Sequence, residues 1–155
     1  MTLAFYLATA TLAAFLTAPA ALAQAPRYPT CYDANGYEVT YRPDRTINDV
    51  AISLILPNGF PAVVWNPIVT AKLRPETVEF FYYHECAHHQ LGHALGTYRP
   101  GMEIAADCHA FNTMADAGLM PFSKYTVLIA DLRSYSRSGI DWNEGFQRVK
   151  SLAKC

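Results

Sequence analysis

The amino-acid sequence predicts an α+β fold, a small N-terminal antiparallel sheet followed by about four helices, forming one domain over residues 24–155. Two observations carry that class. Short apolar runs bounded by turn residues fill the stretch before Asn66, and from Pro75 onward apolar residues recur at helical spacing between Pro and Gly punctuation. A chain of 155 residues is long enough for one core, and it contains no internal repeat and no linker that would divide it.

Taken in order, Tyr37-Glu38-Val39-Thr40-Tyr41 alternates as a short strand does. Ala51–Leu56 and Pro61–Trp65 then flank Pro57-Asn58-Gly59-Phe60, a turn that joins them into a hairpin. The strand Ala62–Trp65 is open to two readings, an edge on which an extended peptide pairs or a purely structural edge. The first helix runs from Pro75 to about Gly92, with Pro75 suited to the first turn and Glu76 and Glu79 near the positive helix end. A second runs from Met102 to Gly118, just before Pro121. A third covers Phe122 to Arg137 with Val127, Leu128 and Leu132 as its apolar stripe, and a fourth covers Asn143 to Lys154.

Composition narrows the function. Apolar residues make up 52% and charged ones 16%, which excludes disorder, and a net charge of -1 without long runs of either sign offers nothing to a nucleic acid. Residues Met1–Ala23 carry no ionisable side chain and end in Ala21-Leu22-Ala23, the pattern of an export signal cleaved after Ala23. Membrane attachment is expected only if that segment is retained, and the rest of the chain faces a secreted or periplasmic compartment. The four cysteines Cys31, Cys86, Cys108 and Cys155 then form two disulfides. Of the three pairings, 86–108 with 31–155 is favoured, because the first pair lies in the two helices that build the site and the second near the ends.

His84-Glu85-Cys86-Ala87-His88 falls in the first helix. At that spacing His84 and His88 share a face, about 6 Å apart, and together supply half a tetrahedral metal site. Glu85 points to the side of that face, within reach of an activated water as a general base. A histidine-rich helix surface is the bland alternative, since His89 and His93 lie close by. A catalytic zinc needs a third protein ligand, and Glu103 and Asp107 stand four residues apart on one face of the second helix, in a turn too apolar for a solvated acidic face. Cys86 sits about 200° around the helix from His84, away from the metal face. Phe80, Phe81, Tyr82 and Tyr83 read as core beneath this helix rather than as a substrate pocket. His109, Tyr98, Arg99, Tyr125 and Arg133 all remain candidates for stabilising an oxyanion.

With HExxH followed by ExxxD on a second helix, the chain resembles the gluzincin class of zinc metallopeptidases, and locally the small bacterial neutral zinc metallopeptidases with an E-x-x-A-D-C string, over about Pro75 to Gly118. That resemblance implies a zincin-like fold with one zinc ion per chain between two helices. It further implies His84, His88 and Glu103 as ligands, Glu85 as general base, Asp107 as the carboxylate orienting a ligand histidine, and a peptide or protein substrate. Two neighbouring patterns fail: His93 falls one position short of a metzincin third ligand, and Arg99 stands where a Gly-Thr-x-Asp pattern needs its aspartate. The alternative function is a non-catalytic zinc-binding partner or inhibitor module on the same scaffold.

Overall fold

A computed structural model describes residues 29–135 and 142–155, giving only the backbone of residues 135 and 142–146. The expected export signal, Met1–Ala23, lies outside the described residues, as does the expected end of the third helix at Arg137.

The architecture is α+β: strands β1 (Thr40–Pro43), β2 (Ala51–Ile55) and β3 (Pro61–Trp65), then helices α1 (Pro67–Thr70), α2 (Pro75–Gln90), α3 (Met102–Asp116), α4 (Phe122–Tyr135) and α5 (Trp142–Leu152). The hairpin forms as the turn residues dictate: Gly59 takes φ 85°, and the Leu56 N–H donates to the Phe60 carbonyl at 2.9 Å.

The sheet is mixed rather than antiparallel, with strand order β1-β3-β2 and β1 parallel to β3. The reason is the loop after β1. It crosses the end of β3, so β2 returns on the far side of that strand. Asn66 pins this crossing: its side chain donates to the Ile47 carbonyl at 2.7 Å, its backbone N–H to the Val50 carbonyl at 3.0 Å, and its Oδ1 caps α1 by accepting from the Ile68 N–H at 2.8 Å. The first strand also starts three residues later than the alternation of Tyr37–Tyr41 suggests, leaving only a single bridge between Tyr32 and Glu38. β3 is therefore central, and Ala62–Trp65 is no edge. The outer strands are β1 and β2.

Helix α2 is the axis of the molecule, with Thr77, Phe80, Phe81, Tyr82 and the whole run His84–His89 buried. Phe80 and Phe81 pack with Ala110 and Met114 of α3, Leu128 and Leu132 of α4 and Leu152 of α5, as the core reading expects, although Phe81 also lines a cleft. α4 is tied to the start of α2 by Asp131, which accepts from Arg74 Nε at 2.8 Å and from the Thr77 hydroxyl at 2.6 Å. Gly92, at φ 71°, ends α2 in the left-handed conformation and leads into a 3-10 turn over His93–Leu95. None of the described helices is long and apolar enough to cross a membrane.

Two disulfides form, but as Cys31–Cys86 and Cys108–Cys155, not as 86–108 with 31–155. Geometry decides this. Cys86 lies on the face of α2 opposite His84, toward Val39 and Val63 of the sheet side, whereas α3 packs on the histidine face. Cys108 is left for the C-terminal Cys155, which fastens α5 to α3. Two disulfides fit an extracellular or periplasmic protein. Non-reducing peptide mapping should recover linked peptides 31–86 and 108–155. Replacing Cys108 and Cys155 together with Ser should cost about 2–4 kcal/mol in denaturant unfolding, and an unchanged midpoint would show that α5 docks without its clasp.

Candidate metal centre

His84 and His88, one helical turn apart on α2, turn their Nε2 atoms toward each other at 3.0 Å. Glu103, in the first turn of α3 where the helix end favours negative charge, closes the triangle: Oε2 lies 3.2 Å from His84 Nε2 and Oε1 3.5 Å from His88 Nε2. Each residue offers one ligand atom within 4.8 Å of the others, so His84, His88 and Glu103 form a group that could hold a metal ion. Both histidines are buried and Glu103 is half-buried.

Behind His84 lies Asp107, with no exposed surface. Its Oδ1 accepts from His84 Nδ1–H at 2.8 Å, which leaves the His84 Nε2 lone pair for the site. Arg148 of α5 donates to both oxygens of the same carboxylate, Nε to Oδ2 at 2.9 Å and Nη2 to Oδ1 at 2.6 Å, and lays its guanidinium 5.1 Å from the Phe81 ring centroid. The 3.2 Å approach of Arg148 Nη2 to His84 Nδ1 follows from two donors sharing Oδ1. Burial opposes ionisation of Asp107, but the Arg148 charge and the His84 N–H outweigh it and hold the carboxyl down at about 2.

Glu85 is buried beside the group and anchored to the sheet edge: the Ser53 hydroxyl of β2 lies 2.7 Å from Glu85 Oε2 and 2.7 Å from the Glu85 carbonyl, sharing one proton between two acceptors. On its other side His88 places Nδ1 3.0 Å from Nδ1 of His93. A cleft of about 490 Å³ opens over these residues. Strand β2, Phe81, Ala94, Tyr98 and Met102 are among its lining.

The structure thus brings together all five residues singled out by the motif, His84, Glu85, His88, Glu103 and Asp107. Of the five oxyanion candidates, Tyr98 lines the cleft, whereas the ring Nε2 of His109 lies 2.8 Å from Gln90 Oε1 and Tyr125 packs edge-on to Phe111. His89 is not part of the metal-holding group and is no surface residue. It is buried, with Nε2–H donating to the Ala62 carbonyl at 3.0 Å. Arg148 and Ser53 went unread in the sequence. Ser53 had a signal, a lone hydroxyl in the apolar strand Ala51–Leu56, while Arg148 had none beyond an amphipathic C-terminal helix. No protein-family model, no curated protein and no solved structure matches this chain significantly.

Burial and the Arg148 guanidinium disfavour a charged His84, but its hydrogen bonds to the Asp107 and Glu103 carboxylates prevail and hold its pKa up at about 9. A proton and a metal ion therefore compete for one lone pair. Because the pKa is raised, the proton wins at low pH, and apparent metal affinity should climb by about tenfold per pH unit as pH rises, levelling off near pH 9. Chelator competition at several pH values measures this, and a flat profile between pH 6.5 and 9 would show that His84 carries no competing proton.

Proposed function

We propose that the chain is an exported zinc-dependent hydrolase, and specifically a metallopeptidase of gluzincin type, with His84, His88 and Glu103 as zinc ligands and Glu85 as general base. The observation that carries this reading is the placement of Glu85: a buried carboxylate beside an open three-ligand group, in a cleft lined by the outer strand β2. A structural metal site has no use for a base or an open side.

The three donor edges of 3.0, 3.2 and 3.5 Å support zinc as the ion. Bonds of about 2.0–2.2 Å in tetrahedral array put donor atoms about 3.3–3.6 Å apart, close to these edges, and His-His-carboxylate is a ligand set of catalytic zinc. A zinc ion held there supplies Lewis acidity, making water more acidic and a scissile carbonyl more electrophilic. The protein's residues do the rest. Glu85, held by Ser53, takes the proton from the attacking water and returns it to the leaving amine. Of the five oxyanion candidates, Tyr98 lines the cleft, and a tyrosine hydroxyl there would donate to a developing oxyanion. As an outer strand lining the cleft, β2 suits an extended peptide, which pairs with a strand edge through its main chain.

Glu85→Gln should leave zinc stoichiometry unchanged and reduce peptide hydrolysis by about 10²–10⁴-fold. Retained activity in that variant would end the catalytic assignment. Wild-type protein that binds zinc without cleaving any of a mixed peptide library would instead favour the non-catalytic zinc-binding module. Glu103→Ala should release the metal, as read by elemental analysis after dialysis, and a full complement of zinc would remove Glu103 from the ligand set.

A further inference from the structure

The nitrogens of the two ligand histidines are not matched in the same way. Each imidazole that gives one nitrogen to a metal ion must carry its proton on the other, and a partner that accepts this proton fixes the tautomer and the ring plane. For His84 that partner is the Asp107 carboxylate. For His88 the atom to be satisfied is Nδ1, and what stands 3.0 Å from it is Nδ1 of His93. The two rings meet at 63° with centroids 5.1 Å apart, so each approaches the other with a ring nitrogen rather than a flat face.

From this we infer that His93 is the positioning residue of the ligand His88: its unprotonated Nδ1 accepts from His88 Nδ1–H and so holds His88 Nε2 toward the metal. The inference rests on the metal-binding reading of the site. Bond counting supports it. With His88 Nε2 turned to Glu103 and His84, His88 has one donor left to place, and neutral His93 has one acceptor, its own proton then sitting on Nε2.

Backbone conformation explains how His93 gets there. Had α2 continued, a residue five positions after His88 would lie well around the helix from it. Gly92 instead takes φ 71° and turns the chain back, so that the 3-10 turn presents His93 beside the last turn of α2. The same turn explains why His93 is not itself a ligand. Its Nδ1 is directed at the back of the His88 ring, and the group able to hold an ion consists of His84, His88 and Glu103. Substituting another residue for Gly92 would strain this position, since the open space around it offers no steric obstacle but its φ does.

The test uses the full mature chain and zinc alone as the probe, with affinity read by chelator competition at a pH near 8. His93→Ala should weaken zinc binding about 10–100-fold, the usual cost of losing a hydrogen-bond partner of a ligand histidine. His93→Asn, whose side-chain oxygen can stand where Nδ1 stood, should recover most of that loss. Thermal unfolding of the zinc-free protein should be nearly the same in all three, because His93 is only half-buried, while the added stability conferred by zinc falls in the Ala variant. A merely structural role would lower the zinc-free midpoint and would not be rescued by Asn. Unchanged zinc affinity in His93→Ala, with the wild type binding tightly, would overturn the role of His93 and leave the metal site standing. Failure of the wild type to bind zinc would remove both.

Discussion

The rest of the structure is arranged around one buried carboxylate. Asp107 has no exposed surface, and a charge in that position is tolerable only if it is fully paired. It receives donors from two directions, His84 of α2 and Arg148 of α5, while sitting itself on α3. Three helices are thereby locked in register by one side chain. The lock also sets the chemistry, because the proton that Asp107 holds on His84 Nδ1 is what leaves Nε2 as a lone-pair donor facing Glu103. Position and tautomer have a single cause.

Such a centre is costly to build in a small domain, since each hydrogen bond demands that the elements carrying it stay in place within a fraction of an ångström. Here the disulfides supply the stiffness where it is needed. Cys86 follows Glu85 directly and is bonded to Cys31 beneath the sheet; Cys108 follows Asp107 directly and is bonded to Cys155 at the end of α5. Each site helix is therefore clamped at the residue next to a functional side chain. The second clasp has a specific consequence. α5 brings Arg148 to Asp107 from 41 residues away in sequence, and its attachment at Cys155, seven residues further on, restricts where that guanidinium can go.

Much of this was legible in the sequence because it is local. Pro75 and Gly92 bracket α2, Gly101 and Gly118 bracket α3, and helical spacing alone puts His84 with His88 and Glu103 with Asp107. What could not be read depended on how separate elements meet. The order β1-β3-β2 turns on a loop that crosses the end of β3, and nothing in the alternation of Tyr37–Tyr41 specifies which side of the hairpin that strand joins. Arg148 acquires its role only when α5 docks. The disulfides are the instructive case. The angle that turns Cys86 away from His84 also turns it away from α3, because the His84–His88–Glu103 group and α3 lie on the same face of α2, so the 31–86 pairing follows from the same helical spacing.

The charges of the centre make a final connection between fold and function. Asp107 and Arg148 pair, which leaves Asp49, Glu85 and Glu103 as three carboxyl groups lining the cleft beside two imidazoles. Burial alone would push Glu103 toward its neutral form, yet its contacts with His84 and His88 hold it well below the usual carboxylate range. The pocket is therefore built to be negative and requires a compensating positive charge. A proton on His84, with its pKa at about 9, supplies one unit of positive charge, and a divalent cation bound to the same nitrogen would supply two. Glu85 lies next to the ligand triangle without belonging to it, and a carboxylate there would favour the ion of larger charge. The residue proposed as the base thus helps to make the site receptive to the ion with which it would work.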